Sequence, residues 1–271
     1  MDITSKINTK MQKGNSTKVH VTETCDPALP RLITHVQTTP STTHDQDVTA
    51  QIHADLAAHD RLPTEHFVDA GYVDATLLAQ STQEYAVTLV GPVPPDVSWQ
   101  ARTSDAYTIP QFSIDWEAHS VTCPQGIQNS CWALGTHPDY AEPVIHIRFP
   151  RAACQACPAR QQCTQARADG RTLTLLPRAS YEALQARRRD QQTPAFWQSY
   201  KPRAGIEGTL SQGVRAFGLR RARYRGLAKT HLQHIFTAVA MNLMRLVEWW
   251  EQHHPRATRQ LRFMTLAPQM M

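Results

Sequence analysis

The chain has 271 residues, 41% of them hydrophobic, with 28 Lys and Arg against 23 Asp and Glu and a formal net charge of +5. That length suits one large or two smaller domains, and the mild basic balance is one that a solvated surface carries without any partner. No run approaches the roughly 18 consecutive apolar residues of a membrane helix, and no apolar segment follows a basic start. A membrane span and a secretory signal are therefore excluded, and a cytoplasmic protein is expected. In a reducing compartment the six cysteines read as metal ligands or core residues, not as a disulfide framework.

Residues 1–17 are polar and lack a hydrophobic period, so they read as a ragged start, or as a remnant of a first strand, with Asp2 the acid among them. From Lys18 the texture changes. Val19 and Val21 alternate with polar neighbours as in a half-buried strand, and residues 32–38 read as a second strand beyond Pro27 and Pro30. Val48, Ile52 and Leu56 recur every four residues and place a helix over 47–59, which Pro63 ends. The short apolar segment 66–72 reads as a strand with Asp69 at its C-terminal edge, followed by a helix over 74–83 and a strand over 85–90. Strands interleaved with helices point to an α/β sheet.

Pro92, Pro94 and Pro95 then break the pattern. Residues 91–177 hold five of the six cysteines and only short strand-like pieces, at 111–115, 145–149 and 172–176, and read as an insertion into the α/β core. Helix resumes over 178–192. The longest helix is expected over 227–251, with Leu232, Ile235, Phe236, Val239, Leu243, Leu246, Val247 and Trp250 on one stripe that reads as core. Residues 252–271 form a polar, basic tail.

Two acids stand in settings suited to chemistry. Asp69, at the exposed end of a buried strand and followed by Gly71, offers a wet carboxylate of the kind that holds Mg²⁺; the plainer reading is a helix cap or a strand end. Glu207 is the only acid of residues 200–229, which contain eight cations: Lys201, Arg203, Arg215, Arg220, Arg221, Arg223, Arg225 and Lys229. With Tyr200, Phe217 and Tyr224 interleaved, this segment suits a phosphate backbone, and a lone carboxylate in it suits a metal ion facing DNA. The plainer reading is a solvated basic face with Glu207 as a local salt-bridge partner. Cys154-x-x-Cys157, with Cys163 beyond and Cys123 upstream, has the residue types of a four-thiolate zinc site, against a plainer reading as buried or free thiols. An iron–sulfur cluster needs the same four ligands, but nothing else suggests redox chemistry. Cys131 reads as core beside Trp132, and Cys25 as a small buried residue. Strand alternation or a helix start accounts for His20, His35 and His44 more simply than a metal does.

Tyr200-x-x-Arg203-x-x-x-Glu207 resembles the signature around the third carboxylate of bacterial insertion-sequence DDE transposases, and Phe-Val-Asp69-Ala-Gly-Tyr72 resembles the segment holding their second. The stretches KVHVTETCD, GIEGTLSQGVRAFGLRRARYRG and LAKTHLQHIFTAVAMNLMRL resemble one branch of these enzymes, so that the likeness covers about residues 18–250. It implies an RNase H-like mixed sheet with flanking helices, interrupted by the loop- and strand-rich insertion that carries the cysteines. The core is then 18–90 and 178–251, and the insertion 91–177. It further implies that three acids hold two Mg²⁺ or Mn²⁺ ions, which stabilise the attacking and leaving oxygens of DNA strand cleavage and strand transfer. Asp69 and Glu207 carry over by their motifs, and Tyr200 and Arg203 as neighbours that orient the acid or the scissile phosphate. Related insertions carry cysteines at similar places, which supports zinc, and related enzymes act as dimers on paired DNA ends.

Two departures follow. Where relatives often carry Lys seven positions after the Glu, this chain has Val214, with Arg215 adjacent. The first acid belongs on the opening strand, where Asp2 is the candidate in a poorly apolar setting; Asp26, in a turn, and Asp45, read as a helix cap, are poorer ones. With no helical domain ahead of it, the copy reads as N-terminally truncated. The competing expectation is therefore an inactive remnant that binds DNA without cutting it. A third is a zinc-binding interaction module.

Overall fold

The computed structural model describes residues 2–9, 16–137 and 142–251, with side chains from residue 16 onward. It is a mixed α/β protein. Strands β1 (Asp2–Thr9), β2 (Thr17–Thr24) and β3 (Ile33–Pro40) are followed by helix α1 (Gln46–Ala57), β4 (Glu65–Val68), α2 (Ala75–Tyr85) and β5 (Thr88–Val90). These five strands are ordered β3-β2-β1-β4-β5. Next come β6 (Ser113–Asp115), β7 (Ser120–Thr122), β8 (Cys131–Thr136), β9 (Pro143–Arg148), the short helices α3 (Arg151–Gln155) and α4 (Arg160–Cys163), and β10 (Thr172–Leu175). β6 pairs with β7, and β10-β9-β8 form a separate three-stranded sheet. The chain ends in α5 (Arg178–Asp190), α6 (Pro194–Tyr200), α7 (Gly205–Ala216) and α8 (Leu227–Trp250). By contacts it divides into two compact units, one within Met1–Thr43, Ala58–Phe67 and Pro202–Met271, the other within His44–Ala57 and Val68–Lys201.

Within the stretch read as a ragged start with a remnant of a first strand, residues 2–9 form a strand. β1 pairs antiparallel with β2 over its whole length, from Asp2 opposite Thr24 to Thr9 opposite Thr17. β-branched Ile3, Thr4, Ile7 and Thr9 favour extended backbone even though no apolar alternation advertises it. The strand expected over 85–90 is shorter, because α2 continues to Tyr85 and closes at Ala86, whose backbone is left-handed (φ 54°) and whose N–H caps the helix.

In the first unit, α7 and α8 pack on the sheet and bury Val19, Val21, Ile206, Leu210, Leu219 and Met241. The largest correction is the face α8 presents. Its buried residues are Thr230, His234, Ala238 and Met241. The predicted core stripe faces outward, with Phe236 65%, Leu243 59% and Trp250 82% exposed. The reason is the sheet edge. β3 is an outer strand, and its pairing with β2 slips between Thr22 and Glu23. Asn242 clasps the slipped segment, accepting from the Ile33 N–H at 2.8 Å and donating to the Ile33 carbonyl at 2.9 Å, while His234 Nδ1 meets Thr38 Oγ1 at 2.8 Å. An edge with bare backbone groups takes a helix face that can hydrogen-bond, and the apolar face is left outside.

In the second unit, one core joins Val68, Tyr72, Val73, Leu77, Leu78 and Leu89, with Leu184 of α5 against it. A separate core joins Phe112, Val121, Ile145, Ile147, Phe149 and Leu175 between the two small sheets.

Among the buried histidines, burial lowers His53 of the second unit and His234 of the first from 6.5 to about 4 (for His234, nearby His231 adds to the effect). The unfolded chain takes up these protons first, so stability is intact above about pH 6.5 and falls as pH drops toward 4, by on the order of 3 kcal/mol per histidine. Thermal melts between pH 7 and 4.5 should show this decline. His53→Gln and His234→Gln should each flatten it.

Candidate nucleic-acid and metal site

β4 ends at Val68, and Asp69 follows in extended conformation (φ −69°, ψ 160°), half-buried, at the start of a single 3-10 turn over Ala70–Tyr72. The Asp69 side chain makes no capping bond to that turn. The cap of the next helix is Asp74, whose Oδ1 accepts from the Leu77 N–H at 2.7 Å, so the alternative that Asp69 serves as a helix cap is not what its side chain does. Burial pushes the Asp74 carboxyl above its ordinary range, and Asp47 adds to this against the opposing backbone N–H groups. The turn behind Asp69 is fixed. Tyr72 is fully buried and its carbonyl accepts from Thr49 Oγ1 at 2.9 Å, and a Cβ on Gly71 would stand 3.1 Å from Asp45 Oδ2. Tyr200, at the end of α6, donates its hydroxyl to the Val68 carbonyl at 2.8 Å, one residue before Asp69. Its hydroxyl therefore orients the strand end.

Glu207 lies in the first turn of α7 with its side chain 68% exposed, and Arg203 Nη1 donates to its Oε1 at 3.0 Å. The two partners are spaced four residues apart and differ in exposure, with the carboxylate in water and the Arg203 side chain only 17% exposed. Asp69 belongs to the second compact unit and Glu207 to the first. Asp2 opens β1, and its side chain lies outside the described residues.

The basic run is held by its backbone. Gly218 (φ 66°) and Gly226 (φ 93°) take left-handed conformations that other residues resist, and Leu219 between them is buried. Gln233 of α8 grips the loop from both sides, donating to the Arg221 carbonyl and accepting from the Arg223 N–H, each at 2.8 Å. Arg215, Arg220, Arg221, Arg223, Arg225 and Lys229 all remain exposed, and residues 215–229 contain no acid.

Cys123, Cys154, Cys157 and Cys163 line one small cavity of about 30 Å³ with Tyr107 and Arg171. Two of the sulfurs accept backbone N–H groups at 3.4 Å, Cys123 from Ile127 and Cys154 from Arg171. Burial pushes the Cys163 thiol up, Arg171 opposes that, and the other three cysteines reinforce it. Even so, among the described residues no three His, Cys, Asp or Glu side chains stand close enough to hold a metal ion as placed. Cys25 is buried, as expected, and Cys131 is half-buried beside Trp132. His20 is buried on β2 against Thr39 Oγ1, at 2.9 Å.

The residues that sequence reasoning missed lie under α7. Glu23 of β2 is fully buried and accepts from Thr209 Oγ1 and, at 3.0 Å, from Arg245 Nη1 of α8. Glu23 stands inside the stretch KVHVTETCD and Arg245 is the first ionic residue after Lys229 along a largely apolar stretch of helix, and those were the available signals.

Residues 122–247 match the family model described as a transposase DDE domain. The matched segment, a little under half of the chain, is similar to that domain and includes Glu207, the basic run and the four cysteines, whereas Asp69 and Asp2 precede it. Searches of curated proteins and of solved structures gave no match.

Proposed function

We propose that this chain is a metal-dependent DNA strand-cleaving and strand-transferring transposase, with an RNase H-like core interrupted by the cysteine-bearing segment 91–177, acting in the cytoplasm. The observation that carries the reading is the family match across Glu207 and the acid-free cationic loop beside it. Asp69 and Glu207 are hard oxygen donors, one at a fixed strand end and one exposed on a helix, and both suit Mg²⁺ or Mn²⁺, with Asp2 as the third acid. Divalent ions bound there would supply Lewis-acid stabilisation of the oxygens entering and leaving phosphorus. The chain's own part is positional. Arg215, Arg220, Arg221, Arg223, Arg225 and Lys229 neutralise backbone phosphates from a pinned loop, Arg203 stands beside the carboxylate, and Tyr200 steadies the strand end at Asp69.

Purified protein should nick or join duplex DNA carrying the sequence that flanks its gene when Mg²⁺ or Mn²⁺ is present. Asp69→Asn and Glu207→Gln should each lower the rate by a hundredfold or more, as expected for groups acting on the transition state. Unchanged rates in both variants would end the reading. Salt-sensitive DNA binding with no cleavage in any metal would instead favour a remnant that only binds.

Zinc at the four cysteines belongs to the same proposal. The residue types and the shared cavity support it, though binding would have to draw the sulfurs closer than they stand. Metal analysis should find one zinc per chain, lost in a Cys154→Ser/Cys157→Ser variant; protein purified without zinc and equally stable would refute it.

A second copy of this chain is the proposed partner for the exposed face of α8. Leu232, Phe236, Val239, Leu243, Leu246 and Trp250 alternate at spacings of four and three, the period of a coiled-coil seam. No Lys, Arg, Asp or Glu occurs in residues 230–244, so an identical face meets no like charge there. Large apolar side chains about half exposed along this helix amount to roughly 800 Å² per copy, the scale of a stable interface. Sedimentation equilibrium should give a dimer that Leu243→Lys converts to monomer. A monomeric parent at micromolar concentration would exclude this interface.

A further inference from the structure

Glu23 carries a charge where water does not reach it. Burying a carboxylate costs several kcal/mol unless its partners compensate, and apolar residues of similar volume usually stabilise a fold as well as a buried ion pair does. Stability alone therefore does not explain why an ion network sits under α7. What the network touches does. Arg245 donates from Nη1 to Glu23 Oε2 and to the Arg31 carbonyl, each at 3.0 Å, from Nη2 to Thr209 Oγ1 at 2.6 Å, and from Nε to Gln212 Oε1 at 3.1 Å. Thr209 in turn donates to Glu23 Oε2. Arg31 Nη1 stands 4.0 Å from Glu23 Oε1, and its guanidinium lies so close to Gly205, the first residue of α7, that a Cβ there would occupy the same space. α7 is thus gripped at Gly205, two residues before Glu207, and at Thr209, two residues after it. Glu207 itself points outward with Arg203 as its ion-pair neighbour. Its place in space is set by the helix that bears it.

We propose that Glu23, Arg245 and Arg31 form a positioning clamp that fixes the rotation and height of α7, and through it the carboxylate of Glu207. The inference rests on the proposed role of Glu207 as a metal-binding acid. Glu23 and Arg245 are positioning residues and touch neither metal nor DNA. Catalytic geometry tolerates little error, since a displacement of about 1 Å at a reacting group can cost on the order of a hundredfold in rate.

The test separates position from stability. In full-length protein, Glu23→Gln and Arg245→Met each strand one buried partner and should lower the melting temperature, whereas Glu23→Met/Arg245→Met removes both and should recover most of it. The clamp predicts that this double variant, stable again, still needs roughly tenfold or more Mn²⁺ for half-maximal strand cleavage. Parental melting with parental Mn²⁺ dependence would overturn it. If the double variant does not fold, Arg245→Lys serves. It keeps the charge beside Glu23 but cannot reach Thr209 and Gln212 together, so it should fold with a shifted Mn²⁺ curve, and an unshifted curve overturns the clamp. If the parent and Glu207→Gln bind Mn²⁺ alike, the reading of Glu207 has failed instead. Amide exchange across residues 205–216 then decides the clamp alone: faster exchange in the double variant, with α8 unchanged, supports it, and equal protection overturns it.

Discussion

An edge strand with a register slip needs a neighbour that can hydrogen-bond. β3 has one, because α8 lies on it with the face that carries His234, Asn242 and Arg245. Asn242 supplies both a donor and an acceptor to the slipped residue Ile33, doing for that backbone what a further strand would do. Once that face is committed inward, three features follow. The apolar stripe of α8 must face out. Arg245, one turn beyond Met241, is drawn under α7 and can be accommodated only because Glu23 lies buried beneath it. Gln233, two turns before Met241, is left at the rim, where it holds the cationic loop. Sheet edge, buried charge and basic surface thus depend on a single choice of helix face.

The same constraint bears on how a mobile kind of side chain would serve the proposed phosphate-binding surface. Arginines lose conformational entropy when they are ordered, and a surface of loose cations attracts phosphates without aligning them. Here the backbone between α7 and α8 is immobilised by two left-handed glycines, a buried leucine and a glutamine clasp, while the guanidinium groups stay in water. On the proposed reading, the ordering cost on meeting a phosphate would be confined to the side chains.

Much of the second unit, with β4 at its border, was legible from sequence, and part of the first was not, for definable reasons. α1, α2, β4 and the position of Asp69 were readable because apolar residues at a period of four, or in a short run closed by glycine, have few other solutions. β1 was not, because its preference comes from β-branched residues, two of them threonines, and from pairing with β2, and neither produces hydrophobic alternation. The face of α8 was misread because periodicity reports that a helix is amphipathic, not which side meets the sheet. The choice was made by a bulge in β3 that no local pattern announces. Glu23 and Arg245, 222 positions apart, are bound by tertiary contact alone. Glu207 was legible as an isolated acid in basic text, and the local salt bridge expected on the plainer reading is the one it makes, with Arg203.

The ion pair of Glu207 has two unequal halves. The carboxylate is 68% exposed, whereas the Arg203 side chain is only 17% exposed. The guanidinium is therefore the fixed partner and the carboxylate the one in water, and a planar fork suits a phosphate as well as a carboxylate. On the proposed reading, Glu207 would turn to a divalent cation, a harder and more highly charged partner, while Arg203 would keep its place one helical turn away as a cation beside the acid.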